Sequence, residues 1–259
     1  MAKKEKWFRS GIFKWLLAIV ITGTLAFSGW QIYNILVPNI KDAMTASYVA
    51  SIADERDNDF GVLDYFIGRP DGSYQTAEQL AAAERRIIDW SALRALNPEI
   101  IAWIYIPNTT VDYAVVQTNN NNFYLRHNIL RQRSAAGAIF MEVSHSYDFN
   151  QPDSILYGHH MRNSRKFGLL ERYKDRAFRE GHRYIFVYTP ELTRRFAYSD
   201  QALSSVVQID TVERDEKVLT LVTCDYTPGA THLVIRADLV MLFPPGRPCS
   251  ARTPISAEE

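Results

Sequence analysis

Hydrophobic positions divide the chain into stretches of different period. Residues 15–37 (WLLAIVITGTLAFSGWQIYNILV) hold 23 positions without a charge. As a helix rising about 1.5 Å per residue they reach roughly 34 Å, enough for a hydrocarbon core of about 30 Å. Ala26-Phe27-Ser28 has the small residues of a poor signal-cleavage site, but signal peptides carry an apolar run of only about 7–15 residues. An uncleaved transmembrane anchor is therefore expected, with Trp15, Trp30 and Tyr33 suited to the interface. Residues 38–75 turn polar, with an acidic run (Asp54, Glu55, Asp57, Asp59) and a turn at Pro70-Asp71-Gly72. They read as a partly helical juxtamembrane stalk. From 76 to 96 helical spacing returns in Leu80, Ala83, Ile87 and Ile88. Thr76, followed by Glu78 and Gln79, starts this segment; Asp89 caps a second short helix, and Asn97-Pro98 ends it.

After Pro98 the pattern becomes that of strands. The β-rich runs are IIAWIYI (100–106), VDYAVVQ (111–117), GAIFME (137–142), SILYG (154–158), RYIFVY (183–188), RRFAY (194–198), SVVQI (205–209), VLTLVT (218–223) and HLVIRADLVML (232–242). One clear helical interruption falls at 166–173. The prediction is a mainly β domain over 76–243, a closed barrel of about eight strands with N-terminal helices and a transmembrane helix. The Pro-rich polar tail 244–259, which contains Cys249, is expected to be disordered.

Composition narrows the partners. At 47% hydrophobic and 22% charged the chain is too apolar for a disordered protein, and its 29 basic and 29 acidic residues argue against nucleic acid. The balance is uneven, however. Lys3, Lys4, Lys6, Arg9 and Lys14 face a single acid, Glu5, before residue 40. The basic tail 1–14 predicts a cytoplasmic N-terminus, a single pass through the cell membrane and an extracellular remainder. Two cysteines without a CxxC or Cys/His cluster exclude a disulfide framework and a structural zinc site. The acidic run lacks the glycine and spaced ligands of a calcium loop, so no metal and no cofactor is expected.

Two strand ends carry reactive groups. SILYGHHM puts His159 and His160 after a strand and a glycine, and VLTLVTCDY puts Cys224 at the end of another strand. Strand ends of a barrel gather at a rim, where a thiol of pKa about 8.5 needs an imidazole to raise its thiolate fraction or to protonate a leaving amine. Spacing alone leaves two readings open: a catalytic Cys–His pair, or a buried cysteine and a loop histidine.

The wording of these segments resembles the sortase family, class B sortases in particular. The resemblance runs from about residue 89 to 242 through LRALNPEIIAWIYIPNTTVDYAVVQ, NNFYL (121–125), AGAIFME (136–142), ILYGHHM (155–161), FGLLERY (167–173) and LTLVTCDY (219–226). It implies a membrane-anchored cysteine transpeptidase. Cys224 would attack the carbonyl of a threonine in an NP-x-T-like sorting signal to form a thioester. His159 would protonate the leaving amine and deprotonate the incoming one, with His160 in a supporting place. Asn121, Leu125, Tyr157, Thr223 and Asp225 would contact substrate. The implied partners are surface proteins bearing a sorting signal and a peptidoglycan precursor or cross-bridge amine.

Three departures from the family pattern stand out. His232 occupies the position of the arginine that holds substrate and stabilises the oxyanion. Arg236 lies on the same strand face, roughly 13 Å further on at about 3.3 Å per residue, so it substitutes only if the register shifts. The connection from 189 to 217 is too short for the helix that class B members insert there, and Val222 replaces a common serine. These departures keep two other functions in view: a non-catalytic binding module that retains the barrel, and a thiol peptidase that hydrolyses surface peptides.

Overall fold

The computed structural model describes residues 11–53, 74–161, 164–199, 217–224 and 232–245. The strand expected at 205–209, most of the 189–217 connection, the stalk's acidic run and turn, the first ten residues and the tail beyond 245 lie outside them. Two compact units divide the chain between Lys41 and Asp42.

Helix α1 spans Gly11–Ala53 and contains Pro38. In the first unit its large apolar side chains, among them Leu16, Ile19, Leu25, Phe27 and Ile32, are exposed. The Thr22 and Thr24 hydroxyls donate to the carbonyls of Ala18 (2.8 Å) and Val20 (3.0 Å), so these polar groups need no partner outside the helix. Among the described residues this is the one helix long and apolar enough to cross a membrane.

The helix continues to Ala53, through positions that the sequence reads as stalk. In the second unit Ala43, Val49 and Ala53 are buried, and the Asp89 N–H donates to the Ala53 carbonyl across 3.0 Å. Small side chains at helical spacing let this segment lie close against its neighbours. Its order comes from that burial, which a polar local composition hides.

Helices α2 (Ala77–Glu84) and α3 (Trp90–Leu96) begin where the capping residues stand. Thr76 and Gln79 form a reciprocal capping box, and the Asp89 carboxylate accepts from the Ala92 N–H across 2.9 Å.

Eight strands follow: β1 (Ile100–Tyr105), β2 (Asp112–Val116), β3 (Ile139–Met141), β4 (Asp153–His159), β5 (Tyr184–Tyr188), β6 (Thr193–Tyr198), β7 (Val218–Cys224) and β8 (Leu233–Phe243). They close into a barrel in the order β1-β2-β3-β4-β7-β8-β6-β5, as the alternating runs predict. Closure leaves no open edge. The β2–β3 and β4–β7 pairs are parallel and the others antiparallel. The predicted helical interruption is a 3-10 helix, Gly168–Lys174, followed by α4 (Arg176–Gly181), which the sequence analysis does not foresee because six residues are too short to show a helical period.

Side-chain alternation sorts the barrel into two layers. Ala102, Ile104, Val115, Ile139, Leu156, Leu219, Leu221 and Ile235 fill the interior. Trp103, Ala114, Val116, Phe186 and Tyr188 point outward and pack with Val49, Ala83, Ile88 and Leu93 of the helical segments. A third, smaller outward cluster joins Ile155, Val222 and Val234, with Tyr157 against it. The last cluster marks the face on which β4 and β7 approach the candidate site.

Candidate active site

β4 and β7 run parallel and in register from Asp153↔Val218 to His159↔Cys224. His159 and Cys224 are therefore lateral neighbours at the common C-terminal end of two strands about 4.8 Å apart. Leu156 and Leu221 belong to the interior, so the alternate positions Ile155, Tyr157 and His159 lie on the outer face. The two strand ends singled out in the sequence stand side by side in the sheet.

Gly158 permits this arrangement. A Cβ there would stand 2.5 Å from Ile139 Cδ1 and 2.7 Å from Phe167 Cδ2. The Phe167 ring thus packs directly on the strand, and the Phe167 N–H donates to the His159 carbonyl across 3.1 Å.

The half-buried His159 ring is held from outside the sheet. Its Nε2 lies 2.6 Å from the Leu125 carbonyl oxygen. A carbonyl can only accept, so Nε2 carries the hydrogen, and in the neutral ring Nδ1 is the nitrogen that gains and loses a proton.

The loop that presents this carbonyl has no regular secondary structure but many local bonds. Asn120 Oδ1 accepts from the N–H groups of Asn122 and Phe123, Asn128 Oδ1 from those of Leu130 and Gln132, and His127 bridges to Arg133. The Tyr124 carbonyl accepts from Ala138 N–H across 3.0 Å. Gly137 adopts φ +57°, and a Cβ there would sit 2.6 Å from the Tyr124 oxygen and 3.0 Å from His159 Cδ2. Only glycine lets the loop and the imidazole approach this closely.

Tyr157 and Asn121 converge on Glu142, which no motif or period in the sequence sets apart. The Tyr157 hydroxyl donates to Glu142 Oε2 (2.9 Å), and Asn121 Nδ2 donates to Glu142 Oε1 (2.6 Å). Burial works against the Glu142 carboxylate, but these two bonds, the Ser144 N–H and the nearby His145 hold its pKa below the usual value. His145 in turn accepts the Ile155 N–H at Nδ1 (3.1 Å), and burial pushes its pKa down against the opposing pull of Asp153 and Glu142. The position of Glu142, one residue beyond a three-residue strand, is the only signal the sequence offered. His160 bonds to Glu171 across 3.0 Å.

The remaining predicted residues are less close. Thr223 is buried, paired with Gly158 and Leu233, and faces inward like Leu221. Strand alternation places its side chain on the barrel side of β7. The β7–β8 register matches Thr223 with Leu233 and Thr220 with Arg236, without a shift. One further step brings exposed His232 level with Cys224. Arg236 stays four residues away, so the shift that would raise it does not occur within this pairing. Asp225 lies outside the described residues. Among the described residues no group of three or more His, Cys, Asp or Glu side chains is placed to hold a metal ion.

A family model described as the Sortase domain matches residues 104–240. Sortase B of Listeria monocytogenes is 28% identical over 182 residues, covering 68% of this chain and 63% of that protein. Sortase B of Staphylococcus aureus is 32% identical over 96 residues, 37% of this chain and 39% of the relative. The chain thus spans less than two thirds of either relative. The crystal structure of sortase B from B. anthracis in complex with AAEK2 shares the fold, with TM-score 0.58 and 22% identity over 77% of this chain and 95% of that one.

Proposed function

The chain belongs to the sortase family, and on that premise we propose that it is a membrane-anchored cysteine transpeptidase that cleaves a C-terminal sorting signal after threonine. The observation that carries this reading is the His159↔Cys224 register pairing at the end of parallel strands.

In the proposed reaction the Cys224 thiolate attacks the threonine carbonyl, and the tetrahedral intermediate collapses as the scissile C–N bond breaks. The proton for the leaving amine comes from Nδ1 of the His159 imidazolium, whose Nε2–H remains on the Leu125 carbonyl. The incoming amine of a peptidoglycan precursor or cross-bridge then attacks the thioester. It gives its proton back to Nδ1, and the thiolate is expelled. Protein and acceptor end joined by an amide, with no net redox change and no cofactor.

We assign the oxyanion donor to His232, which like Cys224 lies one residue beyond the last β7–β8 pair and whose ring would supply one N–H where the family pattern has a guanidinium fork. Asn121, Leu125 and Tyr157 line the approach to His159. In the same reading the apolar stretch of α1 is the anchor, with the basic N-terminus in the cytoplasm and the barrel outside the cell.

The test uses the full chain in detergent micelles with NP-x-T peptides and an amine nucleophile. A thioester on Cys224, detected by mass spectrometry, followed by amide product supports the proposal. Product from C224A overturns the assignment of the nucleophile. Peptide binding without acyl-enzyme points instead to the non-catalytic module that the missing arginine makes conceivable, and hydrolysis that amine does not divert points to a peptidase.

A further inference from the structure

We infer that Glu142 is a positioning residue for substrate, setting the wall beside His159 through two side chains at once. This rests on the transpeptidase reading above and adds a residue that the reading does not contain.

Glu142 follows β3 on the same outward alternation as Phe140, which pairs with Tyr157 and stacks on its ring at 5.3 Å. Tyr157 precedes His159 by two residues on the outer face of β4, about 6.6 Å along the strand. A group that fixes the Tyr157 hydroxyl therefore shapes the surface reached by any chain lying along β4 toward the pair.

The contact as it stands is made to a carboxylate. Asn121 Oδ1 accepts the Val143 N–H across 2.9 Å, which orients the amide so that Nδ2 faces Glu142. The Tyr157 hydroxyl faces Glu142 as a donor too. Two donors converge on two oxygens of one side chain. Glutamine offers one oxygen, and its NH2 meets Tyr157 only if that hydroxyl turns from donor to acceptor.

The carboxylate itself is well anchored. The Glu142 N–H donates to the Ile155 carbonyl (3.0 Å), while its own carbonyl accepts from His145 N–H (3.0 Å) and Gln117 Nε2 (2.9 Å). The main chain stays in place whatever the side chain is. Replacing the carboxylate thus releases Asn121 and Tyr157 without unravelling the strand end. Glu142 touches neither His159 nor Cys224 through any of these bonds, so its removal acts on how substrate is held and spares the reacting groups.

The experiment compares wild type, E142Q and E142D as full chains in micelles. A fluorescent NP-x-T peptide reports affinity by anisotropy and turnover with an amine. Iodoacetamide, followed by peptide mapping that separates Cys224 from Cys249, reports the intrinsic reactivity of Cys224. E142Q is expected to weaken peptide affinity and raise KM about tenfold, with kcat and the alkylation rate changed less than twofold. E142D recovers part of the loss.

Affinity and KM within twofold of wild type in E142Q overturn the inference. So does an alkylation rate that falls together with kcat, which would place Glu142 in support of the reactive pair. Failure of the wild type to turn peptide over defeats the transpeptidase reading alone, since anisotropy still reads the wall. A wild type that binds none of the peptides overturns both.

Discussion

His159 Nε2 donates to the main-chain carbonyl of Leu125 across 2.6 Å, over a glycine, Gly137, that leaves no room for a Cβ. The catalytic ring proposed here is thus fixed in one tautomer by backbone that no side-chain substitution at Leu125 can remove. The lever is Gly137. G137A places a methyl against the Tyr124 carbonyl and the imidazole and forces a left-handed conformation that costs about 1–2 kcal/mol. The expected result is a fall in kcat of more than tenfold. It should come with a change in the His159 imidazole 15N signals away from the Nε2–H pattern of wild type, read by NMR on selectively labelled protein.

Exchange of the arginine for His232 makes a second prediction. Removing one oxyanion donor typically weakens catalysis about 10²–10³-fold. H232A should lose activity on that scale, whereas R236A, level with Thr220, should stay within a few-fold. H232R restores the guanidinium fork and should match or exceed wild type. Steady-state rates of the three variants decide it. Equal losses in H232A and R236A would contradict the register argument.

Stability should fall on mild acidification. His182 is buried, its Nδ1 lies 3.0 Å from the Phe178 carbonyl, and burial lowers its pKa; His145 is lowered by burial too. For both, the unfolded chain binds protons more readily than the folded one. Their stabilising effect is complete above about 6.5, the ordinary histidine value, and declines as pH falls from there toward the lowered folded pKa values. Glu142, also lowered, adds a separate loss only below its ordinary value of 4.5. Thermal midpoints from pH 8 to pH 5 should therefore decrease, and H182N, which keeps a donor to Phe178, should flatten the slope. An unchanged slope in H182N would assign the effect elsewhere.

Strand existence was legible because burial of one face imposes a period of two: each described strand overlaps a run written in the sequence, and Thr76 and Asp89 announced their helices through capping chemistry. The reactive pair was legible as two strand ends and, through LYGHH and TC, as a family resemblance. Other features left no local trace. The order of residues 42–53 depends on a surface supplied by the barrel. Glu142 acquires its meaning from Asn121 and Tyr157, which lie 21 and 15 residues away. The inward turn of Thr223 follows from which face of β7 the barrel encloses.

The sequence by itself therefore determined the elements, the apolar helix and the chemical types available, since propensity, period and capping act over a few neighbouring residues. Only the tertiary structure decided the register that sets His159 beside Cys224, that Leu125 chooses the proton-bearing nitrogen and that Arg236 is left four residues along the strand from His232. Those relations are set by register and closure, which arise when segments tens of residues apart compete to bury the same surface.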